Sequence, residues 1–360
     1  MWWVILFSSI CLLLTYLQSK KQVKNGMLYG FVIMATFLSI RYNYGNDYMS
    51  YVSVFDDVNK TNWAELESMT RWVEIGWLVL CKVFNPFGFQ CLIAFHTFFV
   101  FSSIYYLINK YVPQNWLWLA VFFFLFNSSI LIIYISMLRQ SLAICCFLLS
   151  IDASIEKKLF RTLLWVLLAI STHTSAMITI PFVAFALVYS YFSLPKWVIT
   201  LLGVSSGLLL TMMVFDRSIA DKLLSSAMTT VDLLEERYES HTTGSMVGSG
   251  IGLIVNFLVF LPVVLRSKSF DKIELLIIFI FFINMVLFPM EYIVLIFARI
   301  RYYFIAFGIF AVPLLMNKTK DVGLKQFLVA IVILINLWTY YLFFCSATFS
   351  RAYSVYQVCF

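Results

Sequence analysis

Residues of the types used in active sites recur at the ends of apolar segments in this sequence. Arg41 and Asp47 follow the second apolar segment, within SIRYNYGNDYMSYVSVF at residues 39–55. Further positions of this kind are Glu74, Arg139, His173, Glu291, Arg299 and Arg301. Charge at the centre of a bilayer costs about 2.5 to 3.5 kcal/mol per residue on insertion scales, so such groups usually line a cavity or pair with one another. The set combines permanent cations with groups that exchange protons.

The elements that carry these residues are predicted to be membrane helices. The chain is 62% hydrophobic and 12% charged, whereas soluble domains carry about a quarter charged residues. Apolar runs near the length of about 20 residues that spans a bilayer include 2–17, 27–40, 90–108, 116–134, 251–265 and 326–344. They lack the alternation of a membrane barrel, and the first run lacks the features of a cleaved signal peptide. The sequence therefore predicts one all-α polytopic membrane domain over residues 1–360, with about twelve transmembrane helices.

Basic residues in the short connections predict the orientation of these helices. The side richer in them is predicted to be cytoplasmic, and the site is predicted to face the periplasm or exterior. The basic residues of that side are Lys20, Lys21, Lys24, Lys110, Lys157, Lys158, Arg161, Lys196, Arg266, Lys268, Lys272, Lys318, Lys320 and Lys325. The net charge of +7 is therefore a signal for insertion and lipid contact, and it gives no reason to expect nucleic-acid binding.

Two long polar segments are predicted on the outer side, at residues 41–89 and 216–250. In the first, Thr61 or Asn62 caps an amphipathic helical pattern that ends at Pro86 and Gly88, which predicts a helix on the outer leaflet. In the second, apolar residues at helical spacing precede the stretch HTTGSMVGSG. The second segment is either a lid over the site or a solvated loop.

The residues around Arg41 also have a structural explanation. Arg41 alone would be an interfacial anchor. If the segment after it is helical, Tyr44, Tyr48, Tyr51 and Phe55 share one face. An aromatic belt at the membrane interface accounts for such a face without any function.

Other candidates have structural explanations as well. His173 alone is more often a helix-cap or packing residue than a catalyst. Arg299 and Arg301 on a straight helix point about 200° apart, so only one of them can face a shared cavity. The seven cysteines and three histidines show no metal-ligand spacing, and no nucleotide-binding motif occurs. The sequence therefore predicts neither a metal nor another cofactor.

Five motifs in this order resemble a known family. They are RYNYGNDYMSYVSVF, EIGWLVLCKVF, MLRQSLAI, HTSAMITIP and RIRYYF. Together they are similar to the EpsG-like group of Wzy-type polysaccharide polymerases, over residues 1 to about 316. The resemblance implies a GT-C-type glycosyltransferase that acts on undecaprenyl-diphosphate-linked oligosaccharides at the outer face of the bacterial inner membrane. It is loose at the C-terminal end and in the second outer segment.

The implied reaction moves the growing chain from its carrier lipid to a sugar hydroxyl of the next repeat unit. Lipid diphosphates need cations at the depth of the outer leaflet, and arginine grips phosphate oxygens with two donors. The resemblance therefore implies that arginines bind diphosphate and stabilise the departing charge, without a metal ion. The candidates are Arg41, Arg139, Arg299 and Arg301.

The attacking hydroxyl loses a proton, so a base beside it contributes typically 10² to 10⁴-fold. Asp47 and His173 are the candidates for this base. Asp47 is preferred for its place beside Arg41, although a neighbouring arginine lowers the pKa of a carboxylate, and histidine suits proton transfer near neutral pH. Glu74 could equally orient an arginine or a sugar hydroxyl. The candidates for stacking on sugar faces are Tyr44, Tyr48, Tyr51 and Trp72.

Two other classes of membrane protein also carry buried charge. A flippase or secondary transporter for lipid-linked oligosaccharides would place it near the midplane at a repeat interface, and no internal repeat is evident. A membrane acyltransferase that modifies glycans would need a cytoplasmic entry site for its acyl donor, and the inner loops are short. The expected partners are lipid-linked oligosaccharides, membrane lipids and a co-polymerase that regulates chain length.

Overall fold

The computed structural model describes residues 2–70, 73–192, 269–291 and 296–359, together with positions 195, 197, 198 and 201. The predicted span at 251–265, the outer segment at 216–250 and Trp72 lie outside the described residues. Within the described part, almost all regular structure is helical, which confirms the predicted all-α membrane class. One pair of two-residue strands, β1 (Arg41–Tyr42) and β2 (Gln357–Val358), joins distant parts of the chain.

The helices follow the apolar runs and end at polar or helix-breaking residues. The described α-helices are α1 (Trp2–Ser19), α2 (Gly26–Ser39), α3 (Tyr48–Lys60), α4 (Leu66–Met69), α5 (Ile75–Phe84), α6 (Phe89–Tyr111), α7 (Leu117–Phe126), α8 (Ser128–Ser136), α9 (Leu138–Ile155), α10 (Leu159–Thr172), α11 (Ile180–Phe192), α12 (Lys272–Glu291), α13 (Ile296–Ile305), α14 (Gly308–Lys318), α15 (Val322–Phe344) and α16 (Ala347–Ala352). Short 3-10 turns lie at Trp63–Glu65, Asn85–Phe87, Gln114–Trp116 and Thr174–Thr179.

Five described helical segments are long and apolar enough to cross a membrane, or up to seven if each of two bent helix pairs is one span. The five are Trp2–Ser19, Phe89–Tyr111, Leu138–Ile155, Thr174–Phe192 and Val322–Phe344. The predicted span at 27–40 is the 14-residue helix α2, which is shorter than a bilayer crossing of about 20 residues. About twelve spans therefore stays a prediction.

The apolar run at 116–134 is not the straight helix that the sequence predicts. The chain bends by 59° between Gln114–Phe126 and Ser128–Ser136, because Asn127 has an extended backbone. The Asn127 side-chain amide donates to Oδ1 of Asn336 on α15 at 2.8 Å. A second pair bends by 49° between Phe297–Ile305 and Gly308–Lys318. Polar partners of this kind make a helix break tolerable inside a membrane.

The amphipathic pattern after residue 61 does not form one continuous helix but is split into a 3-10 turn, α4 and α5. Asn62, one of the two predicted caps, forms a capping box with Glu65. The helical path is interrupted before α5, where Glu74 has an extended backbone with φ −67° and ψ 142°. The Asn85–Phe87 turn and Gly88 then end this region, as predicted.

Helix α9 has ionic groups at both ends. Near its C-terminus, Lys110 Nζ lies 2.6 Å from Oδ1 of Asp152 and also pairs with Glu156. At the opposite, N-terminal end, Arg139 is the second residue of α9. Thirteen residues at 1.5 Å each separate Arg139 from Asp152 by about 20 Å along the helix. Lys110 and Arg139 therefore lie near opposite ends of α9, and the side of the membrane that each end faces stays a prediction.

Candidate functional site

Three chain segments meet at Glu74. Glu74 immediately precedes α5, Arg139 lies in the first turn of α9, and His173 follows the last residue of α10. Helix α5 approaches α10 very closely, because a Cβ atom added to Gly76 would lie 2.6 Å from the carbonyl oxygen of Ser171. A side chain at position 76 would therefore separate the two helices that bring Glu74 and His173 together.

The carboxylate of Glu74 binds both of its partners at once. Its Oε2 accepts a hydrogen bond from Nη1 of Arg139. Its Oε1 lies 3.0 Å from Nδ1 of His173 and accepts from the backbone N–H and the hydroxyl of Thr174, each at 3.2 Å. Burial raises the pKa of Glu74, but the hydrogen bond with His173 and the charge of Arg139 outweigh burial and hold that pKa well below its ordinary value. Glu74 is therefore a permanent anion in this site.

Only one of the two ring nitrogens of His173 has a hydrogen-bond partner among the described residues. Nδ1 faces Glu74, whereas Nε2 is buried and has no hydrogen-bond partner among the described residues. When the imidazole is neutral, the contact with a carboxylate requires the proton on Nδ1 and leaves a bare acceptor at Nε2. A carboxylate that orients an imidazole in this way is the arrangement of a general base.

Asp47 lies within electrostatic reach of Arg139 and Arg299. It is half-buried at the residue before α3. Burial raises its pKa, and the positive charges of Arg299 and Arg139 oppose that change. The guanidinium carbon of Arg139 also lies 5.9 Å from the centre of the Tyr51 ring, on α3. Arg139 thus contacts the carboxylate of Glu74 and favours the ionised form of a second carboxylate, that of Asp47.

Helix α13 brings Arg299 to the same region through two contacts. The side-chain amide of Gln140 donates to the carbonyl oxygen of Arg299 at 2.6 Å, next to Arg139 in α9. The hydroxyl groups of Ser175 and Tyr303 are 3.0 Å apart, just after His173. The structure therefore gathers five of the predicted residues, which we call the Glu74 cluster: Asp47, Glu74, Arg139, His173 and Arg299.

Arg41 makes different contacts. It is fully buried and donates to the carbonyl oxygen of Leu38 at 2.6 Å, to the hydroxyl of Thr97 at 3.1 Å and to the carbonyl oxygen of Ile135 at 3.3 Å. Burial lowers its pKa to about 10, so it remains charged at neutral pH. Its hydrogen bonds join the C-terminal ends of α2 and α8 to Thr97 within α6, and a diphosphate contact by Arg41 stays a prediction.

Arg301 points towards α12. Its Nη1 donates to Oδ1 of Asn284 at 3.2 Å, and its guanidinium carbon lies 5.1 Å from the ring centre of Phe288. Arg299, two residues earlier, acts instead on Asp47. The two arginines thus have different surroundings, as their spacing predicts, and the role of Arg301 in diphosphate binding also stays a prediction.

The three tyrosines predicted to contact sugars lie inside the protein. Tyr44, which precedes α3, packs at 5.4 Å from Tyr353, and Tyr48 packs at 5.4 Å from Phe89. Tyr51 packs at 5.2 Å from Trp77. Their exposed fractions are 0%, 3% and 7%. Tyr48, Tyr51 and Phe55 do share one face of α3, as predicted, but that face packs against protein. Sugar stacking by these rings stays a prediction.

Sequence reasoning missed two residues that complete the cluster. Thr174 binds Glu74 through both its backbone and its hydroxyl, and Gln140 fixes the backbone at Arg299. Thr174 follows His173 and Gln140 follows Arg139 in the sequence, and this adjacency was the only sequence feature that pointed to them. Within the described ranges, no group of three or more His, Cys, Asp or Glu residues is arranged to hold a metal ion.

A family model described as the EpsG family matches residues 24–358, nearly the whole chain. The match extends past residue 316, where the resemblance of the motifs ends, and includes β2. No curated protein is matched. No solved structure is matched.

Proposed function

Because the chain belongs to the EpsG family, we propose that it is the polymerase that joins lipid-linked oligosaccharide repeat units into a polysaccharide. The family is one of polysaccharide polymerase-like proteins, so the chain is a multi-pass membrane protein of polysaccharide biosynthesis. The proposed substrates are undecaprenyl-diphosphate-linked oligosaccharides at the outer face of the bacterial inner membrane. The proposed enzyme is a glycosyltransferase of the GT-C type that uses arginine instead of a metal ion.

The observation that carries the proposal is the bridging of Arg139 and His173 by Glu74. In the proposed reaction, a sugar hydroxyl of the incoming repeat unit attacks the anomeric carbon of the growing chain. A new glycosidic bond forms, and the bond from that carbon to the carrier diphosphate breaks. The hydroxyl proton passes to a base, and the bonding electrons leave with the diphosphate. The site must therefore place a base beside the acceptor hydroxyl and cations beside the carrier diphosphate of the same reacting complex.

His173 is the base that this geometry favours. When the imidazole is neutral, its Nε2 is a bare acceptor, and its ring is oriented by Glu74 through Nδ1. The imidazolium that forms after proton transfer is stabilised by the same carboxylate. Glu74 is then a positioning residue.

Arg139 and Arg299 are the proposed diphosphate ligands. Arg139 is 27% exposed, donates to Glu74 through Nη1 and lies beside the Tyr51 ring, and Arg299 is half-buried. Charge-assisted bonds from arginine stabilise the negative charge that develops on the leaving diphosphate. In a site of this kind, one such donor contributes about 10² to 10³ in rate.

Asp47 is the alternative base. Burial raises its pKa, and the positive charges of Arg299 and Arg139 oppose that change by favouring its ionised form. In the proposed mechanism it balances their charge before substrate binds. Asp47→Asn and His173→Ala variants separate these roles: product length falls sharply in the variant that lacks the base, and full-length product in both removes both residues from the mechanism.

Glycan profiles from a strain that lacks this gene test the function itself. Loss of a polymerase leaves single repeat units on the lipid anchor. Loss of a flippase leaves no repeat units, and loss of an acyltransferase leaves the full ladder with altered substituents. Either of these last two results would contradict the proposal. A wild-type copy of the gene must restore the ladder. The length of the polymer is proposed to be set by a partner co-polymerase.

A further inference from the structure

The segment at 346–358 packs against the loop at 41–47 through its backbone. Strands β1 and β2 are antiparallel, with Arg41 opposite Val358 and Tyr42 opposite Gln357. The backbone N–H of Gly45 donates to the carbonyl oxygen of Ala352 at 3.1 Å. The backbone N–H of Cys359 donates to the carbonyl oxygen of Ile40 at 3.1 Å, immediately before the loop. Backbone contacts thus occur on both sides of Tyr44.

Aromatic side chains reinforce the same contact. Tyr353 is fully buried, with its ring centre 5.4 Å from that of Tyr44 and 5.2 Å from that of Phe343 on α15. The Tyr356 ring lies 5.1 Å from Tyr44 and stacks on Phe37 at 4.3 Å. The Tyr356 hydroxyl also donates to the carbonyl oxygen of Phe37. Such aromatic pairs contribute about 0.5 to 1.5 kcal/mol each beyond the burial of their area.

The loop ends at Asp47 and needs external support for its shape. Gly45 has φ +119°, a backbone conformation that other residues rarely adopt, and it lies against the backbone of Ser136. The backbone N–H of Gly45, in the middle of the loop, donates to Ala352 and not to a near neighbour in sequence. The position of Asp47 therefore depends on a segment about 300 residues later in the chain.

We propose that residues 346–358 form a clamp that fixes the 41–47 loop in the geometry required for glycosyl transfer, with Tyr353 as the positioning residue. This inference rests on the proposed polymerase function. It assigns a role to the C-terminal segment, for which the family motifs offer no residue. Tyr353 acts through the loop and does not touch substrate.

Amide hydrogen exchange on the purified full-length protein tests the clamp without any assumption about activity. In Tyr353→Ala, amides of residues 41–47 are expected to exchange at least about tenfold faster, because the local packing that protects them is lost. In Tyr353→Phe, which keeps the ring, exchange is expected to remain as in the wild type. The matched control is Val355→Ala, because Val355 lies on the same segment and is 63% exposed. Unchanged exchange in Tyr353→Ala would overturn the clamp.

Glycan ladders from the same variants test its role in the reaction. Tyr353→Ala is expected to lower polymerisation by about 10²-fold, since small displacements at a reacting centre have effects of that size. Tyr353→Phe is expected to restore the ladder, and Val355→Ala to leave it unchanged. Faster exchange with a full ladder would overturn the positioning role. If deletion of the gene itself leaves polymer intact, the proposed function fails, and the exchange result still decides whether the clamp exists.

A disulfide lock keeps the proposal testable if Tyr353→Ala fails to accumulate in membranes. Tyr42→Cys with Gln357→Cys places cysteines at paired positions of β1 and β2. A chain locked by oxidation is expected to polymerise as well as the same variant after reduction. Loss of polymer on oxidation, with recovery on reduction, would mean that the two strands must separate during the reaction and would overturn a fixed clamp.

Discussion

The Nδ1 atom of His173 lies 3.0 Å from Oε1 of Glu74, a residue 99 positions earlier in the chain. The same carboxylate binds Arg139, so one side chain holds the proposed base and a proposed diphosphate ligand together. Because the pKa of Glu74 lies well below its ordinary value, its charge is available to both partners at physiological pH.

Removal of the Glu74 charge should disable both partners. In Glu74→Gln we expect the polymerisation rate to fall by about 10² to 10⁴-fold, because His173 loses the group that orients it and stabilises its protonated form. The rate is measured with lipid-linked repeat units and membranes that contain the variant. Glu67→Gln, at an exposed position seven residues before Glu74, is the matched control and should behave as the wild type. Normal activity of Glu74→Gln would exclude the Glu74–His173 pair from the mechanism.

Arg139 should not tolerate replacement by lysine. Lysine keeps the charge but lacks the planar pair of donors that can bind a carboxylate and a diphosphate together. We expect Arg139→Lys to lose about 10² to 10³ in rate, near the loss in Arg139→Gln. Lys60→Gln, at an exposed position of α3, controls for a general effect of lost positive charge. Activity of Arg139→Lys close to wild type would show that charge alone is sufficient.

The pH dependence of the reaction distinguishes Asp47 from Glu74. Arg299 lowers the pKa of Asp47, so Arg299→Gln should raise that pKa further. If ionised Asp47 is required, the acidic limb of the rate profile moves to higher pH in this variant. The pKa of Glu74 is shifted in the opposite direction, downward. Its contribution to the stability of the fold is therefore complete above the ordinary glutamate pKa and is lost only as pH falls through the lowered pKa. An acidic limb that stays in place in Arg299→Gln would remove Asp47 from the protonation step.

Gly76 tests the dependence of the cluster on helix contact. In Gly76→Ala the new methyl group meets the backbone of Ser171, so α5 must move away from α10. We expect a loss of about 1 to 3 kcal/mol in stability, typical of overpacking, and lower polymerisation as Glu74 moves from His173. Thermal unfolding and the glycan ladder measure the two effects. Gly323→Ala is the control, since its added Cβ would lie at an ordinary 3.5 Å from Asp321; equal behaviour of the two variants would refute the close contact.

The membrane class, the approximate extent of several apolar helices and the grouping of Glu74, Arg139 and His173 could be predicted from the sequence, whereas the outer position of that group stays a prediction. Apolar length predicts helices, and charges at their ends predict a common depth. The partners could not be predicted, because Glu74 and His173 come together only through the packing of α5 on α10. The spacing of Tyr48 and Tyr51 predicts a shared face, but a pattern of aromatic residues does not show whether that face meets lipid or protein.

Two further features depend on distant partners. The break at Asn127 begins a stretch of three polar residues, Asn127, Ser128 and Ser129, within an apolar run, and the partner Asn336 lies 209 residues away. The contact between residues 346–358 and the loop at 41–47 depends on strands of two residues each, which are too short to produce a pattern. Both features arise from tertiary contacts that sequence periodicity does not encode.

The bend at Asn127 changes the depth at which the chain delivers Arg139. A straight nine-residue continuation of α7 would advance about 14 Å along the axis of that helix. At an inclination of 59°, α8 advances only about 7 Å in that direction. The start of α9 is therefore about 7 Å short of the level that an unbroken span would reach. In the proposed reaction, a guanidinium set back by that amount would meet the lipid diphosphate away from the helix end, where fewer water molecules compete for a phosphate oxygen.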